Sequence, residues 1–357
     1  MNILREKIHN IIIENGPISV ASFMEISLND KKYGYYRKKM PLGSQGDFVT
    51  SPDISQIFGE IIGIWILDIW LKLKEPSNFQ IVDLGGGRGT LLKDINRVLK
   101  NKVSNFIFID INEELIKLQK KALRDASHFE KINDIPKIPT IFIGNEFLDA
   151  FPVHQFIKKD KCWKEVCINS KNYELFFSYE STKLSKKISL SNSSNFREGS
   201  IIEINFKTRK IINNISNFIR ENSGAAIFFD YGYMDGYGDS FQGIKDNKKT
   251  NPLSDPGLVD LTSHVNFKDI RLQAKKNNIN FYGPNTQGSF LEQMGAIQRL
   301  EFLEKKATNH QKKELRIGLN RLMSESEMGN LFKVIALSSK NFPSLEGFTC
   351  GTTKNKE

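Results

Sequence analysis

The residues best suited to chemistry stand in the run IVDLGGGRGT, residues 81–90. An apolar strand ends in an acid, Asp83, and a glycine-rich turn leads into a helix. Open α/β sheets bind ligands at the carboxyl ends of their strands, and the first strand–helix turn is the usual cradle. Gly85, Gly87 and Gly89 let the backbone turn sharply and approach a ligand without a Cβ clash. The free N–H groups at the helix start favour anionic atoms. The spacing is G-x-G-x-G, whereas the dinucleotide fingerprint is G-x-G-x-x-G or A, and Thr90 holds its third small position. Asp110 closes the next strand, about 20 residues on, where an acid accepts hydrogen bonds from ribose hydroxyls. That second acid suits NAD and S-adenosylmethionine alike. Asp83 can orient the loop or hold the ammonium of a methionine moiety, which with the spacing favours S-adenosylmethionine. A NAD-dependent oxidoreductase and a glycine turn with no ligand stay open as rivals.

A second constellation, IFIGNEFLDAFPVHQF at residues 141–156, follows another strand. Asn145, Glu146 and Asp149 should therefore lie at the same sheet edge as the glycine loop. Methyl transfer is an in-line displacement at a sulfonium carbon, for which positioning does most of the work. A guanidinium acceptor is cationic, and paired carboxylates hold it in a bidentate fork. Glu146 and Asp149 are candidates for that fork and for taking up the proton lost after transfer. Equally, they could be acids that complement the dipole of a helix start. His264, in DLTSHVNF, is either a base near the acceptor or a core-edge histidine with satisfied hydrogen bonds. His9, His128 and His310 read as surface residues, and Trp65 and Trp70 as helix packing. Cys162, Cys167 and Cys350 are too few and too odd for a disulfide framework, which fits a reducing compartment. No further ligands lie near the first two, so no metal is expected.

These residues need a scaffold of alternating strands and helices. Short apolar strands are expected at 79–84, 105–110, 139–144, 224–230 and 331–337, with amphipathic helices at 90–99 and 113–123. Such βαβ alternation implies an α/β fold, a doubly wound and mostly parallel sheet covered on both faces. Residues 1–75 read as a helical extension interrupted by a long loop, 33–52, rich in Gly, Pro and aromatic residues. Residues 76–357 read as the ligand-binding domain, carrying an inserted β-hairpin region at 153–205. Within that region, 183–195 reads as an exposed loop, and 231–243 as a second glycine-rich loop.

The bulk composition agrees with a globular chain: 357 residues, 39% hydrophobic and 26% charged. The net charge of +10 could serve nucleic acid, a membrane surface or an acidic partner. The lysines are scattered among acids with no basic stripe, so a lysine-rich surface is the simpler reading. The most apolar stretch, 57–73, is interrupted by Glu60 and Asp68 and reads as a buried helix rather than a membrane span. No signal peptide is visible at the N-terminus.

Taken together, the motifs resemble the MidA family, bacterial and mitochondrial methyltransferases linked to the assembly of respiratory complex I. GDFVTSPDISQIFGE (46–60) looks like the family's N-terminal signature, which contains Thr50 and Pro52. DLGGGRGT (83–90) looks like its cofactor loop, NEFLDAFPVH (145–154) like its post-strand motif and WKEV (163–166) like its inserted hairpin. DYGY (230–233), DPG (255–257), DLTSH (260–264) and QGSF (287–290) complete the series in order. The resemblance covers most of the chain. It implies a class I methyltransferase fold that uses S-adenosyl-L-methionine. Asp83, Gly85, Gly87, Gly89, Asp110, Asn145, Thr50 and Pro52 would lie around the cofactor, and Glu146, Asp149 and His264 around the acceptor. It also implies a protein arginine as acceptor, made symmetric dimethylarginine, on a complex I subunit; with the cysteine count, the compartment expected is a bacterial cytoplasm. No nucleic acid partner is expected, because residues 145–147 read Asn-Glu-Phe and not the Asn-Pro-Pro-aromatic string that stacks a flipped base; no membrane insertion is expected, and a homodimer stays open. A non-catalytic assembly factor on the same fold is the alternative. The chain departs from the pattern at Gly86, where proline is frequent, and at Asp53 and Asp83, where Glu is common. It departs again at Asn247 and Asn251, where a His and an Asp are expected.

Overall fold

The computed structural model describes residues 2–38, 49–100, 102–103, 105–184, 196–235, 238–246 and 248–348. Packing divides the chain into two units. One gathers residues 1–48, 148–210 and 233–265, and the other 49–147, 211–232 and 266–357.

The second unit is built on a sheet whose strands run in the order Asn280–Thr286, Phe332–Ser338, Gly224–Tyr233, Thr140–Asn145, Gln80–Leu84, Asn105–Ile109 and Ser127–Phe129. The last five pair in parallel. Phe332–Ser338 is antiparallel to both of its neighbours. Gln80–Leu84 and the first five residues of Thr140–Asn145 are buried throughout, as expected of strands covered on both faces. This is the doubly wound, mostly parallel sheet that the alternation of elements implies. Helix Gln56–Lys72 packs into the same core through Ile57, Phe58, Ile61, Ile62, Trp65, Ile66 and Ile69. Its one buried acid, Glu60, accepts from Arg299 Nε at 2.8 Å and Arg97 Nε at 3.2 Å. That pairing offsets the cost of burying the charge. Trp65 and Trp70 are packing residues whose indole N–H groups donate to the carbonyls of Glu346 and Pro76. No helix among the described residues is long and apolar enough to cross a membrane.

The first unit packs helices Ile3–Asn15 and Val20–Asn29 on strands from the middle of the chain. Cys162–Lys171 is flanked by His154–Lys159 and Glu174–Glu180, and Ile201–Ile204 adds beyond His154–Lys159. The short strand Ile18–Ser19 joins Cys162–Lys171 in antiparallel register. Leu4, Ile8, Ile12, Phe23, Val166 and Leu261 share its core. A separate three-stranded sheet comprises Gln242–Lys245, Lys248–Thr250 and Asp260–Thr262.

Several local expectations change. The stretch read as one loop, 33–52, contains helical turns at Tyr35–Lys38 and Ser51–Ile54. Pro52 sits in the first turn of the latter, where a missing N–H costs nothing. Residues 39–48, including Gly46, and residues 185–195 and 247 lie outside the described residues. Tyr231, Gly232 and Tyr233 continue the strand from Gly224 instead of opening a loop. Asn280–Thr286 is a strand that Gly283 and Pro284 disguise, and its register shifts between Tyr282 and Asn285.

Candidate active site

The strand Gln80–Leu84 delivers Asp83 to the sheet edge at 1% exposure. The loop then holds Gly85, Gly87 and Gly89 at φ of 66°, 51° and 82°. An L side chain there costs about 1–2 kcal/mol. Its N–H groups are used tightly: Gly85 donates to Ile109 O at 2.9 Å and Gly87 to Gly85 O at 2.7 Å. Crowding adds to conformation. A Cβ on Gly85 would lie 2.9 Å from the Phe147 ring, and one on Gly89 3.0 Å from Ala122 Cβ. Helix Thr90–Leu99 follows, and Thr90 Oγ1 donates to Asp53 Oδ1 at 2.8 Å.

Asp110 leaves the neighbouring strand. Its Oδ1 accepts from the Asn112 N–H at 2.9 Å and its Oδ2 from Gln119 Nε2 at 2.7 Å. Burial raises the pKa of Asp110, against the pull of these donors. Burial, and then the charge of Asp110, pushes Asp83 up to about 8. The Asp83 carboxyl therefore holds a proton at neutral pH unless a cation meets it.

Thr140–Asn145 brings the third group. Asn145 Nδ2 donates to Glu146 Oε1 at 3.0 Å, and the Ser51 N–H donates to the same oxygen at 3.2 Å. Glu146 is left-handed, with φ 50°, and its N–H donates to Phe229 O at 2.8 Å. A non-glycine residue held in this region stores strain of the kind found at functional sites. Ser51 and Gln287 are both fully buried. Ser51 Oγ donates to Gln287 Oε1 at 3.4 Å, while Gln287 Nε2 donates to Leu322 O at 2.9 Å. Thr50 caps the turn Ser51–Ile54 through its carbonyl, without a side-chain cap, and Pro52 is buried in that turn.

The unit thus gathers Thr50, Pro52, Asp83, Gly85, Gly87, Gly89, Asp110, Asn145 and Glu146. Asp149 and His264 belong to the other unit. There the buried Asp149 accepts from the Ser263 N–H at 3.1 Å through its carbonyl. Its charge, after burial and Asp260, raises the Tyr36 pKa. Tyr36 Oη donates to Asp260 Oδ1 at 3.2 Å. The His264 N–H donates to Ser240 Oγ at 2.9 Å. Its ring reaches solvent, yet desolvation by the surrounding protein and the nearby Lys249 hold its pKa below the ordinary value. Both effects favour the neutral imidazole. No helix begins at Glu146 or Asp149, so the reading of these acids as helix-dipole partners is overturned. His128 is not a surface residue: its ring stacks on Phe108 at 5.3 Å, half-buried beside Asp110. His9 is likewise half-buried, within 2.8 Å of Ser170 Oγ.

Gln119 escaped the motifs, as did the structural part of Ser51 and Gln287. A signal for Gln119 existed. It lies four residues after Leu115 on the buried stripe of helix Glu113–Ala122, where a polar side chain survives only if bonded.

The residues fit a polar cofactor with an adenosine and an amino-acid end. Among the described residues, Asp83 Oδ2, Gln119 Oε1, His128 Nε2 and Asn145 Oδ1 are buried with no hydrogen-bond partner. Native interiors leave few such atoms, so their concentration around these strand ends marks a site that a ligand completes.

Comparison with known proteins agrees. A family model described as "Putative S-adenosyl-L-methionine-dependent methyltransferase" matches residues 61–285. The chain is 32% identical over 368 residues to Protein arginine methyltransferase NDUFAF7 homolog, mitochondrial, of Drosophila melanogaster, covering 94% of this chain and 84% of that one. It is 32% identical over 363 residues to the Homo sapiens Protein arginine methyltransferase NDUFAF7, mitochondrial, covering 91% and 81%. A Burkholderia thailandensis protein solved with S-adenosyl-homocysteine bound superposes with a TM-score of 0.86 at 22% identity, over 97% of this chain and 94% of that one, a likeness of fold. The chain belongs to this family of S-adenosyl-L-methionine-dependent methyltransferases, the one its cofactor loop and post-strand motif resemble.

Proposed function

We propose that the chain methylates arginine side chains of a protein, forming symmetric dimethylarginine on a respiratory complex I subunit in a bacterial cytoplasm. The observation that carries this reading is Glu146. Its carboxylate is held by two donors on one oxygen, on a strained residue, one position past the strand Thr140–Asn145. A fixed carboxylate suits a cationic guanidinium, whose planar fork it can meet bidentately. The relatives described above carry the name protein arginine methyltransferase, which supports the acceptor. The complex I subunit follows from the MidA resemblance, and the reducing compartment from the three scattered cysteines.

When bound, the cofactor supplies a methyl group on a sulfonium centre. The chain does the positioning. Asp83 takes the ammonium, Asp110 the ribose hydroxyls, and the N–H groups at the start of Thr90–Leu99 favour the carboxylate. Thr50, Pro52 and Asn145 line the same site. Glu146 orients the guanidinium.

The test is transfer of tritiated methyl from S-adenosylmethionine to the purified peripheral arm of bacterial complex I. Label should appear on arginine. Glu146→Gln should slow transfer by about a hundredfold, the scale of a lost positioning group, with S-adenosylhomocysteine affinity unchanged. An unlabelled arm, or label on another residue type, would remove the proposed acceptor.

A further inference from the structure

Gln119 belongs to none of the motifs above, yet it touches two of them. Its Nε2 lies 2.9 Å from Gly87 O and 2.7 Å from Asp110 Oδ2. We propose that Gln119 is a positioning residue of the cofactor site, its amide tying the glycine loop to Asp110 and fixing the acid that receives the ribose hydroxyls. The inference rests on the ribose assignment of Asp110.

Three observations support it. Both groups facing Nε2 only accept, so the amide nitrogen must point at them and the side chain has one orientation. Gln119 is fully buried, on a helix pressed against the loop: a Cβ on Gly89 would lie 3.1 Å from Gln119 Cα. With Asn112 holding Oδ1 and Gln119 holding Oδ2, the Asp110 carboxylate cannot turn about its own axis. The Ile111 N–H bonds the same carboxylate, and of its roughly four acceptor positions these three donors leave capacity for a ligand hydroxyl.

Packing alone would favour a hydrocarbon at this position. Without a ligand Gln119 Oε1 is buried with no partner, a cost that a leucine on the same stripe would avoid. The amide stands where packing disfavours it, because Gly87 O and Asp110 Oδ2 would otherwise face each other's surroundings with no donor between them.

The experiment is calorimetric titration of the full chain with S-adenosylhomocysteine and with its analogue lacking both ribose hydroxyls. The parent should prefer the natural ligand, and Asp110→Ala should remove that preference. Gln119→Leu should weaken S-adenosylhomocysteine about tenfold or more, the effect of losing a charge-assisted hydrogen bond. The analogue should be weakened much less, so the preference narrows. Gln119→Met, of similar length, repeats the test should the leucine variant fail to fold. A merely structural role would weaken both ligands alike, and that outcome overturns the inference, as does parent-like binding of both. If Asp110→Ala keeps the preference, the ribose assignment itself fails and takes the inference with it. That failure is distinguishable, because it appears in the Asp110 variant before Gln119 is changed.

Discussion

Gly87→Val protein should bind S-adenosylhomocysteine at least about a hundredfold more weakly than the parent, a loss of about 2.7 kcal/mol, while keeping its fold. Gly87 sits at φ 51°, and for a β-branched residue positive φ is a true outlier. The loop has no slack to absorb the change. The Gly87 N–H closes a 2.7 Å bond to Gly85 O, and its carbonyl receives the Gln119 amide. A backbone rotation at this point breaks both, and through Gln119 it releases Asp110. The strands on either side are buried among their own neighbours, so the damage should stay local. Calorimetry for binding and circular dichroism for the fold separate the two effects. Parent-like affinity would remove the loop from the cofactor site.

Asp83→Asn should raise stability and lower cofactor affinity at once. In the unfolded chain this carboxyl loses its proton near 3.8, whereas in the native protein it keeps it up to about pH 8. Between those values the native state binds the extra proton, so parent stability falls as pH rises. Asparagine has no such titration. The variant should therefore gain on the parent progressively from about pH 4 to about pH 8 and hold a constant advantage above that, on the order of a few kcal/mol. Chemical denaturation of both proteins at pH 5 and pH 8 measures the widening gap. The same change removes the anion that meets the methionine ammonium, so affinity should fall by about 1.5–3 kcal/mol, the worth of a hydrogen bond to a charged group. An equal gap at both pH values would mean that Asp83 is ionised throughout. Undiminished affinity would take it out of the ammonium site.

Much of the second unit is legible from local sequence, because its strands are short apolar runs with acids and glycines at their ends. Ile81, Val82 and Leu84, with Asp83 among them and Gly85 after them, place the strand, the loop and the edge together, since period and turn chemistry are local properties. Asn280–Thr286 is not legible, because Gly283 and Pro284 break the alternation while pairing with Phe332–Ser338 carries the strand. The first unit is harder still. Nothing in the sequence around Ile18 announces that it pairs with Ile168, 150 positions on, because such pairing is decided by long-range packing. Site residues follow the same division. Gly85, Asp110 and Glu146 stand at element ends and can be singled out by type. Gln119 and Gln287 act through bonds to backbone carbonyls distant in sequence, and only the fold shows which carbonyls those are.

The most direct test of the account is calorimetric titration of the purified chain with S-adenosylmethionine, S-adenosylhomocysteine and NADH under one set of conditions. The cofactor site built on Asp83, the glycine loop and Asp110 predicts saturable binding of the first two and none of the third. Tight binding of NADH with no response to the other two would contradict it.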